Sequence, residues 1–387
     1  MKRISAEKLT DLFRKFPIVY LTGPRQSGKT TLAKTTFSSL PYFNFEDISL
    51  VEAVKTDPHG FLKQYNEGLI IDEAQNMPEI FSYIQIYADQ REVPGQYLLT
   101  GSQNFLLNEK ISQTLAGRVG ILRLLPFSYA EIRQEYDNEV SEVIFKGGYP
   151  RIYKNQINVS DFFPGYLQTY VERDVRSLKN ISSLRNFKNL LFLCAGRVGQ
   201  VVNFSSLSND TGMSINTLKS WVSILEASYV MYLLYPFSLN INKQMVKSPK
   251  IYFYDTGLLC YLLGIRDEKE LKQHYAYGNI FENFVINEIL KCQLNNGEKE
   301  NIYFLRDSRG HEIDCLIPLS NGRRLLYEVK SGATFSKEFL KNINYFRTDN
   351  DKCAVIYQGD RNFYCNETSV ITLNEFLKEL KGNRGEK

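Results

Sequence analysis

The chain has 387 residues, 43% hydrophobic and 23% charged, a balance that fits a globular protein of two or three domains and excludes a long disordered one. Its formal net charge is only +4, so the molecule as a whole does not have the field of a nucleic-acid binder and any such site must be a local patch. Six cysteines are scattered without a CxxC pair and only three histidines are present, which leaves no spaced metal-ligand set and points to free thiols in a reducing compartment.

In chain order, residues 1–8 are charged and lead into an amphipathic helical pattern, without the apolar centre of a secretion signal. No apolar run approaches the roughly 20 residues of a membrane span. The expectation is a soluble, cytoplasmic protein with no membrane partner. From 17 to 125, short apolar runs alternate with helical stretches: strands at 18–22, 42–45, 69–72, 96–100 and 120–125, with helices at 30–37 and 79–91. Such alternation predicts an α/β fold with a parallel sheet covered on both faces.

The first strand runs into Gly23-Pro24-Arg25-Gln26-Ser27-Gly28-Lys29-Thr30, which fits a phosphate-binding loop (P-loop) at each fixed position. The glycines let backbone amides and a helix N-terminus approach the phosphates. Lys29 is expected to reach the β- and γ-phosphates of ATP and Thr30 to ligate Mg²⁺, with Thr31 following in the first helical turn. The run Leu69-Ile70-Ile71-Asp72-Glu73 ends a buried strand in two acids. Asp72 is placed to hold Mg²⁺ through water, and Glu73 to orient or deprotonate the attacking water. By itself this is also how a buried strand ordinarily surfaces; the loop upstream gives it meaning. After the strand at 96–100, Ser102 or Gln103 is a candidate sensor of the γ-phosphate, or the two simply form a turn. Arg118 can approach the γ-phosphate within its own chain or from a neighbouring subunit of a homo-oligomer, or serve as a surface ion-pair partner.

Beyond Pro126 the pattern turns helical, at 129–136, 162–177 and 184–195. Helices at 206–210 and 215–227 around Thr211-Gly212, followed by strands at 230–235 and 250–254, read as a winged helix-turn-helix. Leu218, Trp221, Val222 and Leu225 form the buried face of the second helix. Asn216, Thr217, Lys219 and Ser220 at its start are the candidate DNA contacts, with Lys243, Lys247 and Lys250 as a basic wing. A packing or partner-binding role fits the same pattern. From 278 onward come a helix (279–292), strands (301–306, 312–318, 325–330), a helix (337–346) and a strand (353–357), a small α/β unit of its own.

The P-loop at 23–30 and the stretches 69–75, 99–103, 115–118, 126–129, 170–175, 204–207, 250–258, 281–283 and 327–332 together resemble AAA-superfamily ATPases of bacteria and archaea that carry a C-terminal domain of unknown function. The resemblance covers nearly the whole chain. It implies an ATPase domain at 1–160, a helical and winged-helix domain at 161–270, and a restriction-endonuclease-like domain at 271–387.

In that last unit, Glu328 and Lys330 are two apart on a strand and so share a face, with Asp314 across the turn at 320–322. Two carboxylates can hold Mg²⁺ while the lysine steadies a water attacking a phosphodiester, and Glu282 on the preceding helix can add a ligand. This is the pattern of PD-(D/E)xK nucleases; a structural ion-pair cluster on a degenerate fold is the alternative. Three functions follow as expectations: an ATP-driven DNA-associated enzyme, a regulatory ATPase that binds a protein or DNA partner and cuts nothing, and a nucleotide-binding scaffold, against which Glu73 counts.

Overall fold

The computed structural model describes residues 2–102, 115, 117–171, 183–238 and 248–382. The N-terminal unit opens with α1 (Ala6–Phe13), β1 (Ile18–Gly23), α2 (Lys29–Thr36) and β2 (Tyr42–Asn44). It continues through α3 (Ile48–Thr56), α4 (Pro58–Gln64), β3 (Leu69–Asp72), α5 (Ile80–Arg91), β4 (Tyr97–Ser102) and β5 (Val119–Arg123). Strands β1, β3 and β4 are buried along their whole length, as near-continuous apolar runs in a parallel sheet must be. Ile18 and Tyr20 of β1 pack with residues of α3, α4 and α5 on one face. Val19 and Leu21 pack with α1 and α2 on the other.

The sheet order is β2-β3-β4-β1-β5, and every neighbouring pair is parallel. All carboxyl ends therefore open on one edge, the place where such sheets bind ligands. β4 extends through Ser102 rather than stopping at 100, and β5 begins at Val119.

Helices follow, beginning with α6 (Tyr129–Ile132) and including one at Leu184–Ala195 as expected. The helix expected over 162–177 is Val159–Tyr166, continued by a wider turn to Val171; its remainder lies outside the described residues. α7 (Phe204–Thr211) and α8 (Ile215–Ala227) meet at Gly212, whose φ of 69° closes α7 in the left-handed region. The antiparallel strands β6 (Met231–Leu234) and β7 (Lys250–Phe253) complete a helix-turn-helix and hairpin.

The long helix α9 (Tyr277–Asn295) precedes a six-stranded sheet of β8 (Tyr303–Arg306), β9 (Glu312–Pro318), β10 (Arg324–Lys330), β11 (Lys352–Tyr357), β12 (Phe363–Cys365) and β13 (Thr368–Thr372). Its order is β12-β13-β11-β10-β9-β8. The pairs β8–β9 and β9–β10 are antiparallel, and β10–β11 is parallel.

One hydrophobic core runs from Leu125 through the middle helices, β6, β7 and α9 to Leu377, so the expected division at 270/271 crosses a continuous interior. Buried Asp255 helps to tie it together, accepting N–H groups from Gly148 at 2.7 Å and Leu258 at 2.9 Å. Among the described residues no helix is long and apolar enough to cross a membrane.

Candidate functional site

The loop from Gly23 to Gly28 joins β1 to α2 and curls back on itself, with the Ser27 N–H donating to the Pro24 carbonyl at 3.3 Å. Gln26 (φ 60°) and Gly28 (φ 95°) take left-handed conformations that turn the chain into α2. Gly23 lies so close to the Leu124 carbonyl that a Cβ would collide with it. The Lys29 ammonium, nearly buried, donates to the carbonyls of Gly23 at 3.0 Å and Pro24 at 2.8 Å. It therefore sits inside the ring that residues 23–29 form. Arg25 and Gln26 are half-buried and Ser27 is buried, whereas Thr31 faces solvent in the first turn of α2.

Asp72, at the end of β3, is the centre of the site. The Thr30 hydroxyl donates to its Oδ2 at 2.8 Å and the Tyr42 hydroxyl donates to the same oxygen at 2.7 Å. The buried Thr100 hydroxyl of β4 donates to Oδ1. Thr30 and Asp72 thus present two hard oxygen donors in contact, a set that fits Mg²⁺, which takes few protein oxygens and keeps several waters. Sequence reasoning missed Tyr42 and Thr100. Their signal lies in the register: Ile71 pairs with Leu99, so Thr100 follows level with the acid, while Tyr42 pairs with Ile70, two residues short of it, within reach of a long phenol.

Glu73 follows with φ 52° and ψ 43°, a costly conformation for a non-glycine residue and one found at functional sites. Its carboxylate accepts a hydrogen bond from the Gln75 side-chain amide. Ser102 is buried and stands in register beside Gly23, at the start of the loop; Gln103 lies outside the described residues. Arg118 requires correction. It precedes β5, its carbonyl accepting from the Ile18 N–H at 3.4 Å, and its side chain pairs with Asp89 of α5. At roughly 3.3 Å per residue, β1 separates that edge from Gly23 by about 17 Å. An arginine side chain cannot span this to reach a γ-phosphate in its own chain, because the residue before a parallel strand faces the opposite edge from the residue after one.

A second polar cluster lies in the C-terminal unit. Asp314 accepts the Val329 N–H at 2.8 Å. Glu328, 2% exposed, accepts from Lys330 Nζ at 2.6 Å and from Asn342 Nδ2 at 3.2 Å, while its other oxygen is buried without a partner. Burial, and then the Asp314 carboxylate, pushes Glu328 above its ordinary range, and the same two causes raise Glu282. Asp314, Glu328, Lys330 and Glu282 thus form one electrostatic neighbourhood. Among the described residues, no group of three or more His, Cys, Asp or Glu side chains is arranged to hold a metal ion.

Lys250, expected on the basic wing, instead points inward. It is 2% exposed, donates to Glu282 at 3.1 Å and pairs with Glu312. Burial alone would lower its pKa, but Glu282, Asp314 and Glu312 outweigh that and raise it. Lys243 and Lys247 lie outside the described residues. On α8, Leu218, Trp221, Val222 and Leu225 are buried as expected; Asn216, Lys219 and Ser220 are exposed and Thr217 is half-buried.

Residues 15–133 match the family model described as an AAA domain, and residues 137–269 and 277–376 match two domains of unknown function. An uncharacterized protein of Mycobacterium tuberculosis is 29% identical over 372 residues, covering 95% of this chain and 82% of its own length. An uncharacterized protein of Methanocaldococcus jannaschii is 22% identical over 386 residues, covering 85% of this chain and 78% of its own. Among solved structures, the Walker-type ATPase of Pyrococcus abyssi is 15% identical, covers 67% of this chain and 94% of its own, and gives a TM-score of 0.45. The five-stranded parallel sheet with its loop after β1 fits a P-loop NTPase fold, and residues 15–133 are similar to an AAA domain.

Proposed function

We propose that this chain binds ATP with Mg²⁺ at the loop 23–30 and hydrolyses it, and that the nucleotide state is passed to a DNA-associated helix-turn-helix and C-terminal module. The observation that carries the ATP site is the hydrogen bond from Thr30 to Asp72, with Lys29 enclosed by the loop. In this reading Lys29 exchanges the carbonyls of Gly23 and Pro24 for phosphate oxygens. Thr30, its hydroxyl still donating to Asp72, and Asp72 would be the residues that hold Mg²⁺. Mg²⁺, when bound, would screen the charge of the phosphates. Glu73 accepts the proton of the attacking water, and Ser102 beside Gly23 contacts the γ-phosphate. Arg118, directed away from its own loop, acts only across a subunit boundary in a homo-oligomer.

Support for coupling comes from buried polar contacts leading away from the loop. Arg3 donates to the Ser27 carbonyl at 3.0 Å and pairs with Glu131 of α6 at 2.9 Å. The Tyr129 N–H of α6 donates to Glu288 of α9 at 2.9 Å, and α9 carries Glu282 to the second cluster.

Within that cluster the favoured reading is an inert nuclease-like fold that binds a partner and cuts nothing. Lys250 already pairs with Glu282 and Glu312, and Lys330 with Glu328, and ammonium groups placed in this way compete with a metal. The order and directions of β8 to β11 support the restriction-endonuclease-like topology itself.

One experiment tests the proposal: nucleotide binding by wild type and Lys29→Ala, followed by DNA binding over a salt series with and without ATP. Wild type binds ATP and Lys29→Ala does not; DNA affinity falls steeply with salt and changes with nucleotide only in wild type. Normal ATP affinity in Lys29→Ala sinks the site, and salt-independent or absent DNA binding sinks the DNA reading.

A further inference from the structure

Tyr42 and Thr100 both hold Asp72 from outside the two recognised motifs, and the position of Tyr42 is built by three elements. In the parallel register Tyr42 stands opposite Ile70, two residues short of Asp72, an offset of about 6.6 Å along the strands. The phenol bridges it by lying along the strand direction toward the carboxyl edge. Its hydroxyl donates at 2.7 Å to Oδ2, the oxygen that also accepts from Thr30 at 2.8 Å. The ring is held from α2, where the Lys34 ammonium lies 4.1 Å from its centroid, one turn beyond Thr30. An ammonium over an aromatic face is attracted by the ring quadrupole. Helix α2 therefore touches Asp72 twice, directly through Thr30 and indirectly through Lys34 and Tyr42.

We infer that Tyr42 is a positioning residue for the metal-facing side of Asp72, fixing the Oδ2 oxygen that Thr30 shares. This rests on the reading of Thr30 and Asp72 as the Mg²⁺ side of an ATP site. With Thr100 on Oδ1, both carboxylate oxygens are committed and the group cannot turn about its last bond. Loss of the Tyr42 hydroxyl leaves Oδ2 held by Thr30 alone, the hydroxyl that would also face the ion, so that Asp72 meets the water shell of the ion in a wider distribution of orientations. Groups that orient a metal-binding side chain in this way typically contribute one to two orders of magnitude to metal affinity.

The test is a Mg²⁺ titration of full-length protein with a fluorescent ATP analogue, in wild type, Tyr42→Phe and Tyr42→Leu, beside a series in EDTA. In EDTA, wild type and Tyr42→Phe bind the analogue equally, which also establishes that the fold is intact. The Mg²⁺ concentration at half-effect rises about tenfold in Tyr42→Phe, and Tyr42→Leu is no better. An unchanged midpoint in Tyr42→Phe with a shifted one in Tyr42→Leu means that the ring only packs, and overturns the inference while leaving the ATP site standing. A wild type that binds no analogue in either series overturns the ATP reading and this inference with it.

Discussion

A carboxyl group can be held by hydroxyl donors or by burial beside like charges. Asp72 is of the first kind, with hydroxyls donating to both oxygens. Glu328 is of the second, held above its ordinary range by burial and by Asp314. The folded state keeps a proton on Glu328 that the unfolded chain gives up. That contribution to stability is whole below the ordinary value of 4.5 and is lost as pH rises through neutrality toward the raised value. Unfolding midpoints in denaturant between about pH 5 and 8 should therefore fall with pH more steeply in wild type than in Glu328→Gln; equal slopes would show that Glu328 does not carry the effect. Lys29, Thr30, Asp72 and Glu73 were legible in the sequence because the P-loop and the run ending in two acids are local patterns. Tyr42 and Thr100 were not, because they lie 30 and 28 residues from Asp72 and meet it only through strand register.

At the scale of elements, the joints between units are made by charged and backbone groups rather than by apolar area alone. Ser128 and Glu131 form a capping box at the start of α6, and the same Glu131 carboxylate accepts the Ile4 N–H at 2.9 Å and pairs with Arg3. Burial lowers the pKa of Arg3 while Glu131 works to raise it. Removal of one partner of a buried pair leaves an uncompensated charge, so Arg3→Met should destabilise the protein by about 3–5 kcal/mol, read as a fall in the denaturation midpoint. Adding Glu131→Gln should recover part of that loss; full additivity of the two substitutions would contradict the pairing. The buried face of α8 followed from its 3.6-residue period, and β9 was found with its bounds intact. The inward turn of Lys250 did not follow from local pattern, since a lysine on a hairpin ordinarily faces water and Glu282, Asp314 and Glu312, distant in the chain, draw it in.

For the whole molecule, the parallel sheet, the two helices that meet at Gly212 and the C-terminal α/β unit were each legible from periodicity. Their joint interior was not. A single core from Leu125 to Leu377 makes the helix-turn-helix and the C-terminal sheet one body, and the Ser27–Arg3–Glu131 contacts tie the nucleotide loop to it. A loop that changes partners when nucleotide arrives therefore pulls on a residue anchored in that body, which gives the proposed coupling its physical route. On the proposed reading, the carboxyl edge of the N-terminal sheet hydrolyses ATP, and Glu73 takes the proton. Steady-state turnover and ATP affinity, compared in wild type and Glu73→Gln, test this most directly. Glu73→Gln should bind ATP as wild type does and turn it over at least about a hundredfold more slowly. A Glu73→Gln protein that hydrolyses ATP at the wild-type rate would contradict it.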